Sequence, residues 1–214
     1  MRALLVLLLF ASQTFAQHAE TVAPSPDVAL RELLAGNRRY RLGKLSHPHQ
    51  SPVRVKEVSK NQHPFAAVLS CADSRVPPEV IFDRGVGDLF TVRVAGNVAP
   101  DDLIASLEYA VAHLGPRLIV VLGHERCGAV SAALQGGPPE GHLEVLLDRI
   151  RPAIETAKTQ KGDTLDLAIR QNVRNVVDQL KNAEPILATK VKSGDIEIVG
   201  AVYDLDTATV EILQ

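Results

Sequence analysis

Two stretches of this chain are unbroken apolar runs that end abruptly in polar residues. One is Phe65 to Arg75, FAAVLSCADSR; the other is Leu118 to Cys127, LIVVLGHERC. A β-branched apolar run of this length predicts a strand buried on both faces. Side by side, two such strands would set Cys71, Asp73 and Arg75 next to His124 and Cys127, at the carboxyl ends of a parallel sheet. Open α/β sheets keep their ligands there. Further strands are expected over Leu89–Val94, closed by Gly96 and Asn97, over Ile196–Tyr203, and over Thr209–Leu213 at an edge.

Helical periodicity fills the intervals. Asp27–Arg41 carries Val28, Leu30, Leu33 and Leu34 on one side, with a cap at Ser25 or Asp27, and reads as a packing arm. A short helix is expected over Glu79–Asp83, after the turn Val76-Pro77-Pro78. Another spans Asp101–Leu114 and is stopped by Gly115-Pro116. Cys127–Leu134 would point its N-terminus at the strand ends, where free N–H groups favour thiolate and oxyanion. Gly136–Gly141 is a loop. Leu143–Lys158 and Thr164–Val191 are long helical patterns, the second bent near Pro185. Strands alternating with helices predict an α/β fold with a mainly parallel central sheet and flanking helices.

The N-terminus departs from this pattern. Arg2, the short apolar run Ala3–Phe10 and Thr14-Phe15-Ala16 read as a secretory signal over residues 1–16, cleaved before Gln17. The run is too short to span a bilayer, so no membrane association is expected of the mature form. Residues 17–26 read as a linker and 27–214 as one domain, a length that can bury a full core. A bacterial-type leader of this kind implies the periplasm. Net charge is −2, which gives no reason to expect nucleic acid as a partner.

Export changes the meaning of the cysteines. The chain has two, and oxidising compartments favour a Cys71–Cys127 disulfide. Against that bridge, each sits in a charged turn after a strand, and His124 lies three residues before Cys127. Two thiolates and an imidazole suit zinc, with a fourth position left for water or for the Asp73 carboxylate. His47 and His49 lie in a proline-bearing loop, HPHQSP, and read as solvated. His18, His63, His113 and His142 lack a ligand-spaced partner. No glycine-rich fingerprint follows a strand, which speaks against nucleotide binding.

Cys71-Ala72-Asp73-Ser74-Arg75 and His124-Glu125-Arg126-Cys127-Gly128, separated by strand–helix–strand, resemble the β-class carbonic anhydrases over about residues 27–213. The resemblance implies that Cys71, His124 and Cys127 hold zinc and that Asp73 and Arg75 form a dyad beside it. Gln62 matches a glutamine that in one branch hydrogen-bonds bicarbonate, and Gly128 matches the small residue after the second cysteine. The implied fold adds an antiparallel edge strand to the parallel sheet. Its N-terminal helix wraps a partner, giving homodimers or multiples of dimers. The implied activity is reversible hydration of carbon dioxide to bicarbonate, because zinc lowers the pKa of water towards ~7 and makes hydroxide available. Asp73, held by Arg75, would orient the attacking oxygen. Ser74 would hold the turn; Glu125 and Arg126 would be structural or interface charges. Some relatives carry a regulatory bicarbonate pocket with a Trp that favours Asp on zinc. This chain has no Trp, and Val68 stands in that place, so Asp73 is expected to stay on Arg75. The alternatives are a zinc hydrolase of the same fold acting on carbon disulfide or carbonyl sulfide, and a dithiol redox protein.

Overall fold

The computed structural model describes residues 23–138 and 141–213; the expected leader, His18 and residues 17–22 of the linker lie outside them. The strands are β1 (Ala66–Ser70), β2 (Leu89–Arg93), β3 (Leu118–His124), β4 (Glu197–Tyr203) and β5 (Val210–Leu213). They form one sheet in the order β2-β1-β3-β4-β5. The first four are parallel and β5 runs antiparallel along β4. Every residue of β1 and β3 is buried, as their unbroken apolar runs require. β2 pairs on one side only, and most of its residues are part exposed.

Eight α-helices are present among the described residues. α1 is Pro26–Arg41, α2 Pro52–Val58, α3 Pro78–Ile81 and α4 Asp101–Tyr109. α5 is Gly128–Gln135, α6 Glu144–Lys158, α7 Thr164–Lys181 and α8 Leu187–Lys192. α6 packs between α5 and α7, and α7 lies on β3 and β4. Its apolar stripe includes Ile169, Val173, Val176 and Leu180. Val173 rests on two glycines: a Cβ at Gly123 or Gly200 would come within 2.6 or 2.9 Å of its methyls.

α1 begins where the pattern placed it, with Ser25 accepting from the Val28 amide and Pro26 in the first turn. It docks on its own chain. Ala29, Leu33, Gly36 and Asn37 are buried, and Asn37 donates to the Ile81 and Ala208 carbonyls while accepting from the Val210 amide. Among its large apolar residues only Val28 is exposed.

The other departures have local causes. The pattern over Thr164–Val191 is two helices, because Pro185 supplies no N–H and Asn182 caps α7 first. Asp101–Leu114 stays helical but widens into a π-type turn at Ala110–Leu114, ended by Gly115 at φ 84°. α2 has no buried residue, so it leaves no apolar stripe to read. Its markers are Ser51, accepting from Arg54, and Pro52.

Candidate metal centre

Parallel registration sets Ser70, the last residue of β1, opposite Leu122, two residues before β3 ends at His124. The next residues of each strand therefore converge. Cys71, His124 and Cys127 are all buried, and their ligand atoms lie within 4.8 Å of one another. The two sulfurs are 3.9 Å apart, and both cysteines are free. That separation disposes of the disulfide.

His124 is oriented by its neighbour. Nδ1 donates to the Glu125 carbonyl at 2.8 Å, which leaves the lone pair on Nε2. Nε2 is buried and finds no hydrogen-bond partner among the described residues. A buried, unpartnered imidazole nitrogen facing two sulfurs is costly in an apolar site and is satisfied by a cation. The donor set thus fits zinc.

The loop that carries Cys71 is tied down from outside. Arg93, at the end of β2, donates to the Cys71 carbonyl (3.0 Å) and the Asp73 carbonyl (2.7 Å). The Gly96 amide reaches the Cys71 sulfur at 3.3 Å, and Asn172 on α7 donates to the Gly96 carbonyl at 2.8 Å. Sequence reading missed all three residues. The run Arg93-Val94-Ala95-Gly96-Asn97 at a strand end was the available signal for two of them.

Asp73 stands beside the ligand group rather than in it. Its carboxylate takes Nε and Nη2 of Arg75 at 2.9 and 2.7 Å and the Arg75 amide at 2.9 Å. Its Oδ2 is 3.8 Å from His124 Nε2. The Arg75 guanidinium holds the Asp73 carboxyl well below the usual carboxylate range. The Cys71 thiol is drawn down, first by the Cys127 thiol, then, against burial, by His124 and the amides of Asp73 and Gly96. Cys127 is pushed up by the Cys71 sulfur and by burial, although the Val130 and Ala129 amides at the start of α5 oppose this.

Other expected residues fall differently. Gln62 is exposed in the loop before β1, so the whole strand, about 17 Å at ~3.3 Å per residue, separates it from Cys71 of the same chain. Gly128 opens α5 beside Cys127, and a Cβ there would meet nothing within 4 Å. Ser74 is exposed. Glu125 accepts from the Leu205 amide, and Arg126 donates two hydrogen bonds to the Asp206 carboxylate, so both tie the Cys127 turn to the β4–β5 connection. The HPHQSP loop is not merely solvated: the His47 amide donates to Asp83, and His49 Nδ1 lies 2.5 Å from Asp88. His63, His113 and His142 are exposed. A groove of about 660 Å³ lies away from the ligand group, between α2 and β2, lined by Val55, Val86 and Leu89.

A family model described as carbonic anhydrase matches residues 66–210. Carbonic anhydrase 2 of Mycobacterium tuberculosis is 37% identical over 186 residues, covering 85% of this chain and 90% of the relative. A carbonic anhydrase of Mycolicibacterium smegmatis is 38% identical over 192 residues, 88% and 93% of the two chains. Among solved structures, a tetrameric β-carbonic anhydrase from Sordaria macrospora superposes with TM-score 0.70 at 26% identity, covering 87% of this chain and 97% of that one.

Proposed function

The chain belongs to the β-class carbonic anhydrases, zinc enzymes that reversibly hydrate carbon dioxide to bicarbonate and a proton, and on that premise we propose that Cys71, His124 and Cys127 hold the zinc while Asp73 and Arg75 serve the reacting oxygen. The observation that carries this reading is the buried, unpartnered His124 Nε2 beside two sulfurs 3.9 Å apart. Zinc bound there supplies the Lewis acidity that makes hydroxide available near neutral pH. The chain's own residues do the rest. The Glu125 carbonyl keeps His124 in the tautomer that offers Nε2. Asp73, ionised because Arg75 holds it, accepts a hydrogen bond from the attacking oxygen and leaves a lone pair aimed at carbon. Arg75 keeps that carboxylate off the metal with two side-chain bonds.

A second copy of the chain completes the site in this proposal. β2 has a free edge, and Val53, Val55 and Val86 are exposed around the groove beside it. Two copies related by a twofold axis across that edge run antiparallel. That arrangement carries Gln62 of one chain towards the strand ends of the other, where it can hydrogen-bond bicarbonate above Gly128.

Export belongs to the same proposal. Arg2, Ala3–Phe10 and Thr14-Phe15-Ala16 support cleavage before Gln17 and a periplasmic enzyme. No described helix is long and apolar enough to cross a membrane. N-terminal sequencing after cell fractionation tests it.

The deciding experiment for the site measures zinc content and stopped-flow CO2 hydration in the mature protein and in Cys71→Ala, His124→Ala and Cys127→Ala. Each variant is expected to lose metal and activity together. Full zinc occupancy in Cys127→Ala would overturn the ligand assignment.

A further inference from the structure

Ala95–Asn97 is a tight turn after β2 with two successive residues in the left-handed region. Gly96 has φ 72° and Asn97 φ 44°. Glycine enters that region freely and asparagine more readily than most residues, so Gly96-Asn97 suits the turn. A side chain at Gly96 would also collide: a Cβ would lie 2.7 Å from Ile150 Cδ1 and 3.2 Å from Ala129 Cβ. Glycine there lets the backbone come close enough for its amide to reach the Cys71 sulfur at 3.3 Å.

What holds the turn comes from another layer. Asn172 is 1% exposed, the one buried polar side chain on α7, in a stripe otherwise made of Ala168, Ile169, Val173, Val176 and Leu180. An amide in such a stripe is costly unless it is bonded. Its Nδ2 donates to the Gly96 carbonyl at 2.8 Å.

We infer that Asn172 is a positioning residue for the metal centre: by anchoring the Gly96 carbonyl it keeps the Gly96 amide on the Cys71 sulfur. An N–H donor on a metal thiolate withdraws charge from sulfur and fixes its direction towards the metal. Loss of such an outer partner typically costs about 10–100-fold in metal affinity or activity. The inference rests on Cys71 being a zinc ligand.

The test uses full-length mature protein carrying Asn172→Leu or Asn172→Ser. Serine is smaller and leaves room for water if leucine blocks folding. Val176→Ala, also buried on the same helix, reports the cost of disturbing α7 alone. Two readouts are taken: zinc affinity by chelator competition, and the thiolate-to-cobalt charge-transfer band of cobalt-loaded protein. Both Asn172 variants should bind zinc about 10–100-fold more weakly and shift the band, while Val176→Ala loses stability with both readouts unchanged. Wild-type zinc affinity and an unmoved band in a folded Asn172 variant would overturn the inference. So would equal effects of Val176→Ala. Retention of zinc by Cys71→Ala would instead defeat the ligand assignment beneath it.

Discussion

Arg75 grips the Asp73 carboxylate through Nε and Nη2, 2.9 and 2.7 Å from its two oxygens, while Asp73 Oδ2 remains 3.8 Å from His124 Nε2. One freed carboxylate is therefore a short movement from the ligand group. In Arg75→Leu, Asp73 should swing to the metal and close the fourth position. CO2 hydration is expected to fall roughly 100-fold with zinc content unchanged. A structure of the variant should place an Asp73 oxygen about 2.0–2.2 Å from zinc. Undiminished kcat/KM would show that the pair does not guard the metal.

Zinc should also stabilise the fold, because it binds three buried groups that are brought together only in the folded chain. At 100 times Kd the gain is about 2.7 kcal/mol. Scanning calorimetry with chelator should lower Tm, and added zinc should restore it. A Tm that ignores chelator but follows reductant would favour a dithiol protein instead.

Alanine usually stabilises a helix relative to glycine by about 1 kcal/mol. Gly36→Ala should do the opposite. A Cβ there would sit 1.8 Å from the Phe82 carbonyl oxygen, so α1 must lift from its seat against α3. A loss of about 1–3 kcal/mol in urea unfolding is expected. A gain in stability would mean that α1 does not dock on this chain.

Asp83 is fully buried beneath α1. Burial works to raise its pKa, but the Ser46 amide, Arg39, the Ser46 hydroxyl and the His47 amide outweigh it and hold the carboxyl well below its usual range. A depressed folded-state pKa adds stability that is present above the unfolded value of about 3.9 and fades as pH falls below it. Asp83→Asn should cost about 3 kcal/mol at pH 7, and its difference from wild type should narrow from pH 5 to pH 3. A pH-independent difference would contradict this origin.

If Gln62 serves the neighbouring site, defects should complement. Gln62→Ala retains its own ligands, and Cys71→Ala retains a sound Gln62. Co-expressed mixed dimers would contain one complete site. CO2 hydration above the average of the two parent variants is expected. Strict averaging, or a light-scattering mass of one chain with full activity, would remove the second copy from the mechanism.

Some of this was written in the linear chain. β1 and β3 were legible because strands covered on both faces need unbroken apolar runs, and such runs end where polar ligands begin. Cys71, His124 and Cys127 lie at those ends or within a few residues of them, so their convergence required only that the strands be neighbours. α1 and α6 were legible from their stripes. Tertiary structure alone decided the contacts that carry no period. The Gly96 amide reaches a sulfur 25 positions away, and Asn172 reaches Gly96 across 76. The docking of α1 rests on Asn37 bonding to residues 171 and 173 positions distant. Such single hydrogen bonds depend on where layers meet, and no local spacing encodes that. Gln62 shows the same limit from the other side. It came from the resemblance alone, which does not say whose site it serves, and β1, a buried extended strand, separates it from Cys71 of its own chain.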